Sequence, residues 1–308
     1  MRVLSIGEIL WDVFPNQELL GGAALNFSVN ISRLGDSASL LTGLGNDVRG
    51  RTAYDAMKSF SLPTDFVQSV DHWATGIATV STTAEGEPHF EIPRPAAFDA
   101  VMITPEIADK AMRWNPDWLY FGTLLQTEPN IERGTHNLKA ALRGVRCFYD
   151  MNLRLGHWNI PLVQRLCKLA SVLKLNEVEA KLLGEMNGMP TDTFTLQAFC
   201  KATAEQYELD AICITLGAAG CCVYEEDFLH NVPGYPVVVH DTVGAGDAFS
   251  AAFLHGYHRG WAIERAARFA NGLGSIVASR AGATPQWSVQ ECFQLTSLST
   301  ENSERDDF

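Results

Sequence analysis

The stretch that most constrains this chain runs from Val237 through Asp241-Thr242-Val243-Gly244-Ala245-Gly246-Asp247-Ala248-Phe249. Val237, Val238 and Val239 predict a buried strand, and Phe249, Ala252, Phe253, Gly256 and Tyr257 recur at helical spacing as one apolar stripe. The glycines therefore stand at a strand-to-helix turn. Gly244 and Gly246 let the backbone bend tightly with no side chain in the way, so the unpaired N–H groups of the helix start face whatever lies before them. An anion is the natural occupant of such a place. Asp247 is expected to be held ionised by the same N–H groups and to accept a proton from a hydroxyl beside a bound phosphate. These are the parts of a phosphoryl transferase, although a helix start that Asp247 merely caps fits the same spacing.

The 308 residues, 46% apolar and 19% charged, are enough for one large α/β domain or one domain with an appendage. A net charge of −13 without clusters of Lys and Arg argues against a nucleic-acid groove or an anionic membrane surface, so a phosphate site must be made locally. The first residues lead straight into a strand, and no run reaches the about 18 apolar residues of a spanning helix. A cytoplasmic protein is expected. The seven cysteines, with no C-x-x-C pair, are expected to be reduced and mostly buried.

Along the chain, strands and helices alternate, with one interruption. Val3 to Ile6 reads as a strand; Glu8 to Phe14 alternates and turns at Pro15-Asn16; Gly21-Gly22 opens a helix from about Ala24 to Leu34 that carries Asn26 in its first turn. From His72 to Asp99 two strands flank a Glu85-Gly86-Glu87-Pro88 turn, a hairpin excursion from the main sheet followed by Arg94 and Phe98. Cys147-Phe148-Tyr149 runs into Asp150-Met151-Asn152-Leu153-Arg154, polar groups at alternate positions beyond a strand's carboxyl end, where open α/β sheets bind ligands. A loop network of salt bridges is the other reading. Asn176-Glu177-Val178-Glu179 follows a strand at Ser171–Leu175 and fits a helix cap as well as a ligand site. Thr215-Leu216-Gly217-Ala218-Ala219-Gly220 is a small-residue turn after Ala211–Ile214, and a helix from about Ala262 to Arg280 contains Asn271. No G-x-x-x-x-G-K-[ST], H-R-D or G-x-G-x-x-G is present, since Phe249 stands where the last glycine of a dinucleotide fingerprint would.

D-T-V-G-A-G-D-A-F resembles the C-terminal signature of the ribokinase-like (phosphofructokinase-B) carbohydrate kinases, and Gly21-Gly22-Ala23-Ala24-Leu25-Asn26 with Arg33-Leu34-Gly35 resembles the N-terminal one. With D-x-N-x-R, N-x-x-E and T-x-G-x-x-G between them, the resemblance spans about Val3 to Pro285. It implies an α/β fold, a three-layer α/β/α core with a mainly parallel sheet and a small β lid. Residues 1–7, 17–70 and 100–298 would form the core, 8–16 and 71–99 the lid, and 299–308 a disordered tail. It also implies MgATP, a sugar, possible activation by potassium and, as in some members of the family, a possible homodimer through the lid.

By the same resemblance, Asp247 is the base, and Gly244, Ala245 and Gly246 form the anion hole. Asp12, Gly22, Asn26, Arg94, Phe98, Asn152 and Arg154 would meet the sugar. Asn176, Thr215, Gly217, Gly220, Gly246 and Asn271 would meet the nucleotide, with Glu179 on Mg²⁺ through water and the backbone oxygens of Asp241 and Val243 on potassium. Asp150 to Arg154 continuing to Trp158, and Arg94-Pro95-Ala96, are similar to bacterial fructokinases. A 2-keto-3-deoxygluconate kinase, in which Arg94 and Arg154 grip a carboxylate, a ribokinase, and a catalytically silent sugar-binding homologue are the alternatives.

Overall fold

A computed structural model describes residues 1–82 and 88–297. Glu85 to Glu87 of the expected hairpin turn, and the expected tail 299–308, lie outside the described residues. The strands in chain order are β1 (Arg2–Ile6), β2 (Leu10–Phe14), β3 (Gln17–Gly21), β4 (Ser37–Gly45), β5 (Val67–Val70), β6 (Gly76–Thr82), β7 (Pro88–Glu91), β8 (Trp118–Gly122), β9 (Arg146–Asp150), β10 (Val172–Asn176), β11 (Ala211–Thr215), β12 (Gly220–Glu225) and β13 (Phe228–Pro233).

Nine strands make the main sheet in the order β13-β12-β11-β10-β9-β8-β1-β4-β5, parallel from β11 to β5 and antiparallel at β12 and β13. Alternation along its strands sends side chains to two opposite cores. Val3, Trp118, Tyr120 and Phe148 pack on one side, beneath helices Ala23–Arg33, Ala245–His258 and Ile263–Ala278. Leu4, Ile6, Leu119, Phe121, Cys147 and Tyr149 pack on the other, with helices Pro129–Ala141, Ile160–Leu169, Glu177–Met186 and Leu196–Tyr207. The expected three layers are present. All seven cysteines are free and buried, and burial pushes thiols such as Cys147 up to about 12.

The chain leaves β1 to build β4 and β5 on one side and later returns to build β8 to β11 on the other. β1 is therefore where strand order reverses, and a crevice opens at its carboxyl end. A second sheet, β3-β2-β6-β7, stands over that end. It takes in β3, which pairs antiparallel with β2 across the Pro15-Asn16 turn, so the small sheet includes residues 17–21 that the sequence assigned to the core. Asp47 fastens it below: its carboxylate caps helix Val48–Ser59 through the Gly50 N–H (2.7 Å) and accepts from the Thr75 N–H and hydroxyl (both 2.8 Å) just before β6.

Val237 to Val239 form no strand. The main sheet ends at β13, the valines do not pair with its outer edge, and Val238 and Val239 are 88% and 57% exposed. The segment is instead held by the His240 and Asp241 N–H groups, which both donate to the Ala278 carbonyl. No helix of the described residues is long and apolar enough to cross a membrane.

Candidate active site

The crevice holds a cavity of about 260 Å³ bordered by Glu8, Asp12, Gly22, Asn26, Asn152, Arg154, Lys174, Thr242 to Gly244, Gly246 and Asp247, with Leu10, Ala78 and Ile92 as its apolar wall. The chain enters the small sheet after β1 through Glu8 and returns through Gly22. Gly22 takes φ 112°, and a Cβ there would lie 2.5 Å from the Glu8 carbonyl oxygen, so only glycine closes this crossing. The Ala23 N–H, at the helix start just beyond, donates to Glu8 Oε1 at 2.9 Å.

Gly244, at φ 79°, caps helix Ala245–His258 in the left-handed region, with the Ala283 carbonyl oxygen 2.2 Å from where a Cβ would stand. Ala248 is the first residue whose N–H reaches a helical carbonyl, that of Gly244 at 2.9 Å. The Ala245 N–H turns back to Thr242 O at 3.3 Å, which takes it from the expected anion hole. The N–H groups of Gly244, Gly246 and Asp247 have no acceptor among the described residues. Asp241 braces the turn from outside, its carboxylate accepting from the Val243 and Gly282 N–H groups at 3.0 and 3.2 Å.

Asp247 is 9% exposed, and Oδ2 accepts from Asn26 Nδ2 at 2.9 Å. Burial, then the neighbouring Asp150 carboxylate, push its carboxyl from an ordinary 3.8 up to about 7; Asn26, Lys174 and Arg154 pull the other way. Burial thus outweighs the pull of Asn26, Lys174 and Arg154, against the expectation of an acid held ionised. Asp12, on β2, is also raised by burial, to about 6, while Arg154 opposes the shift. Arg154 reaches the cavity because Asn152 turns the chain after β9 in the left-handed region, φ 41°, which asparagine tolerates better than most residues.

Other expected residues are placed elsewhere. Arg94 donates to Asp99 at 3.0 Å, pairs with Glu128 at 3.2 Å and donates to Leu124 O at 3.2 Å, so its guanidinium is consumed within the fold. Phe98 is fully buried, its ring 2.3 Å from where a Cβ on Gly76 would stand. Neither borders the cavity, which corrects both as direct sugar contacts. Asn176 and Glu179 form a capping box, Asn176 Oδ1 accepting from the Glu179 N–H at 2.9 Å and Glu179 Oε2 from the Asn176 N–H at 2.8 Å. Glu179 Oε1 accepts from the Leu153 N–H at 2.8 Å, tying this helix to the loop that carries Arg154.

Thr215 pairs in register with Asn176, so its loop begins one strand further along the sheet from the cavity. Around Gly217, φ 59°, a Cβ would meet nothing within 4 Å, whereas Gly220 is packed against the Val232 carbonyl. Asn271 is buried and donates at 3.1 Å to both Val232 O and Pro233 O, fixing the end of β13. Three residues the motifs did not single out join the site. Glu8 is buried, which raises its carboxyl. Lys174 pairs with Asp150 at 3.0 Å, and Ser250 donates to Asp150 at 2.8 Å. The signal for Lys174 was one charge inside the otherwise apolar Val172-Leu173-Lys174-Leu175, since a charge in a central strand must have a partner.

Residues 7–289 match the model of the pfkB family carbohydrate kinases. Fructokinase-2 of Oryza sativa subsp. japonica is 27% identical over 310 residues, covering 92% of this chain and 90% of its own. Two solved structures share the fold: fructokinase of Xylella fastidiosa with bound ATP, at TM-score 0.83 and 22% identity over 96% and 98% of the two chains, and 2-dehydro-3-deoxygluconokinase of Thermotoga maritima, at 0.83 and 21% over 96% and 99%. With the glycine turn, the buried aspartate and the small sheet over the crevice in the same chain as a family match of that length, the protein is a member of the pfkB family of carbohydrate kinases.

Proposed function

We propose that this kinase is a fructokinase, transferring the γ-phosphate of ATP to a primary hydroxyl of fructose. The observation that carries the reading is Asp247 at the free N–H groups of the glycine turn, facing the cavity with Oδ1 uncommitted while Asn26 holds Oδ2. A carboxyl near 7 is poised to take a hydroxyl proton at neutral pH. The N–H groups of Gly246 and Asp247, rather than that of Ala245, stabilise charge on the transferring group, joined by that of Gly244. Asp12, with two acceptor oxygens, orients the sugar hydroxyls, and Asn152 and Arg154 close the other side.

The choice of a neutral sugar follows from the charges. A sugar acid needs a cation to spare, and Arg94 is spent on Asp99 and Glu128. Of the two cations bordering the cavity, Lys174 is already paired with Asp150, which leaves Arg154 beside Glu8 and Asp12. A carboxylate substrate would be repelled as much as held, whereas the hydroxyls of a ketose can bond to all three. The relatives named fructokinase support the same reading. A bound magnesium ion would neutralise the phosphates; the Asn176–Glu179 corner, with lone pairs left on a carboxylate already engaged by two N–H groups, suits contact through hydration water. The Asp241 and Val243 carbonyls have no donor among the described residues and suit potassium.

A coupled ADP-release assay with MgATP against fructose, 2-keto-3-deoxygluconate, ribose and adenosine tests the substrate. Fructose should give the highest kcat/KM, by about tenfold or more over the sugar acid. A preference for the sugar acid would overturn the assignment, and turnover of none would return the silent homologue.

A further inference from the structure

Lys174 is the single charged residue of β10 and is 7% exposed. Its ammonium meets one oxygen of Asp150 at 3.0 Å, and the other Asp150 oxygen accepts from Ser250 at 2.8 Å. Ser250 lies one turn past Gly246 in the same helix, and its single hydroxyl hydrogen is shared between Asp150 and the Gly246 carbonyl, 3.0 Å away. A Cβ built on Gly246 would stand 3.3 Å from the Lys174 nitrogen. The ammonium thus lies against the glycine turn and borders the same cavity as Asp247.

A buried Lys–Asp pair is a weak device for holding a fold, because apolar residues of similar volume serve as well without desolvating two charges. Leu173 and Leu175 already fill the opposite face of the strand. What Lys174 adds is charge where charge is scarce. Asp150 from β9, Glu179 from helix Glu177–Met186 and Asp247 from helix Ala245–His258 surround it, with Cys213 beside it on β11. Asp247 is faced in turn by Asn26, Asp150, Lys174, Arg154 and the Tyr120 hydroxyl. Without Lys174, an anionic phosphoryl group arriving at the turn would meet the Glu8, Asp12 and Asp247 carboxylates of the cavity, with Asp150 and Glu179 behind them, and Arg154 as the one cation. Fixed charge in a site shut away from water acts far more strongly than in solution.

We propose that Lys174 is a positioning residue for phosphoryl transfer, a fixed cation delivered from a central strand beneath the glycine turn. It holds Asp150 and, through Ser250, the turn in register, and it offsets the carboxylates against which the phosphate must come. The ammonium stays protonated throughout and forms no bond to the sugar. The proposal rests on Asp247 being the base of the reaction.

The test compares Asp150→Asn with the double variant Asp150→Asn, Lys174→Met, because removing the carboxylate first strands no buried charge when the ammonium is lost. In Asp150→Asn the ammonium retains Glu179 and Asp247 as counter-charges. Thermal melts establish folding, and kcat and KM are measured with the best sugar of the panel. The double variant should be slower in kcat by about tenfold or more with KM for the sugar within about twofold, and Asp150→Asn, Lys174→Arg should recover part of the loss. Equal kcat in the first two variants, a loss confined to KM, or unfolding of the double variant alone would each overturn the proposal. Asp247→Asn is run alongside: if it keeps turnover the base assignment fails, while the comparison at position 174 still reads the effect of its charge.

Discussion

Asp247 and Asp12 are two carboxylates set at different pH values by their surroundings, and each shift has a kinetic signature. With Asp247 raised to about 7, kcat/KM should fall about tenfold per unit as pH drops below that value and level off above it. With Asp12 raised to about 6, KM for the sugar should climb below about pH 6, as the carboxylate that accepts sugar hydroxyls becomes protonated. A pH series of initial rates reads both, and a flat profile across this range would contradict both assignments. The shift at Asp247 also has a stability sign. A carboxyl whose folded value lies above its unfolded one contributes stability that is complete below about 3.8 and is lost as pH rises toward about 7. Asp247→Asn should therefore melt higher than the parent protein at about pH 8 and converge with it near about pH 4. Asp247, Asn26 and Arg154 were legible in the sequence because motif spacing marks them. Arg94 was misread because spacing shows a free cation and says nothing of Asp99 and Glu128, which reach it only in the folded chain.

At the scale of the element, the glycine turn works by backbone geometry. Gly244→Ala would put a methyl group 2.2 Å from a carbonyl oxygen at a φ of 79°. It should cost roughly 1–3 kcal/mol of stability and remove most turnover while leaving the Asp247 side chain in place. A variant with normal kcat and melting temperature would show that the turn is not held as described. The helix after this turn was plain from its apolar stripe, yet the three valines before it misled: strand preference reflects packing on a half-buried pleated surface, and Val238 and Val239 stay exposed with no such surface beneath them. β3 escaped notice for the related reason that Gln17–Gly21 has one thinly apolar face. Its strand character comes from β2, which it meets across a two-residue turn. Asn176 and Glu179 show the limit of a short motif, since the capping box they form was one of the two readings their spacing allowed.

Across the whole molecule, the same sheet that divides two apolar cores also brings groups of the candidate site together from residues more than two hundred positions apart. Asn26 and Asp247 meet at 2.9 Å because the helices carrying them pack side by side on one face of β1, over the stacked rings of Phe27 and Tyr120, whose centroids are 3.7 Å apart. Phe27→Ala should cost about 3–5 kcal/mol in chemical denaturation and weaken that meeting. Strand alternation and helix spacing made the layers legible, but the partner of each buried charge depends on which helix lies on which face, and that is decided only when the chain closes. The central claim is that Asp247 removes the proton of the sugar hydroxyl, and the most direct test is kcat/KM for fructose in Asp247→Asn beside calorimetric binding of the sugar. Turnover should fall by on the order of 10² or more with sugar binding kept within about tenfold; a variant that bound fructose and turned it over at the parent rate would contradict the account.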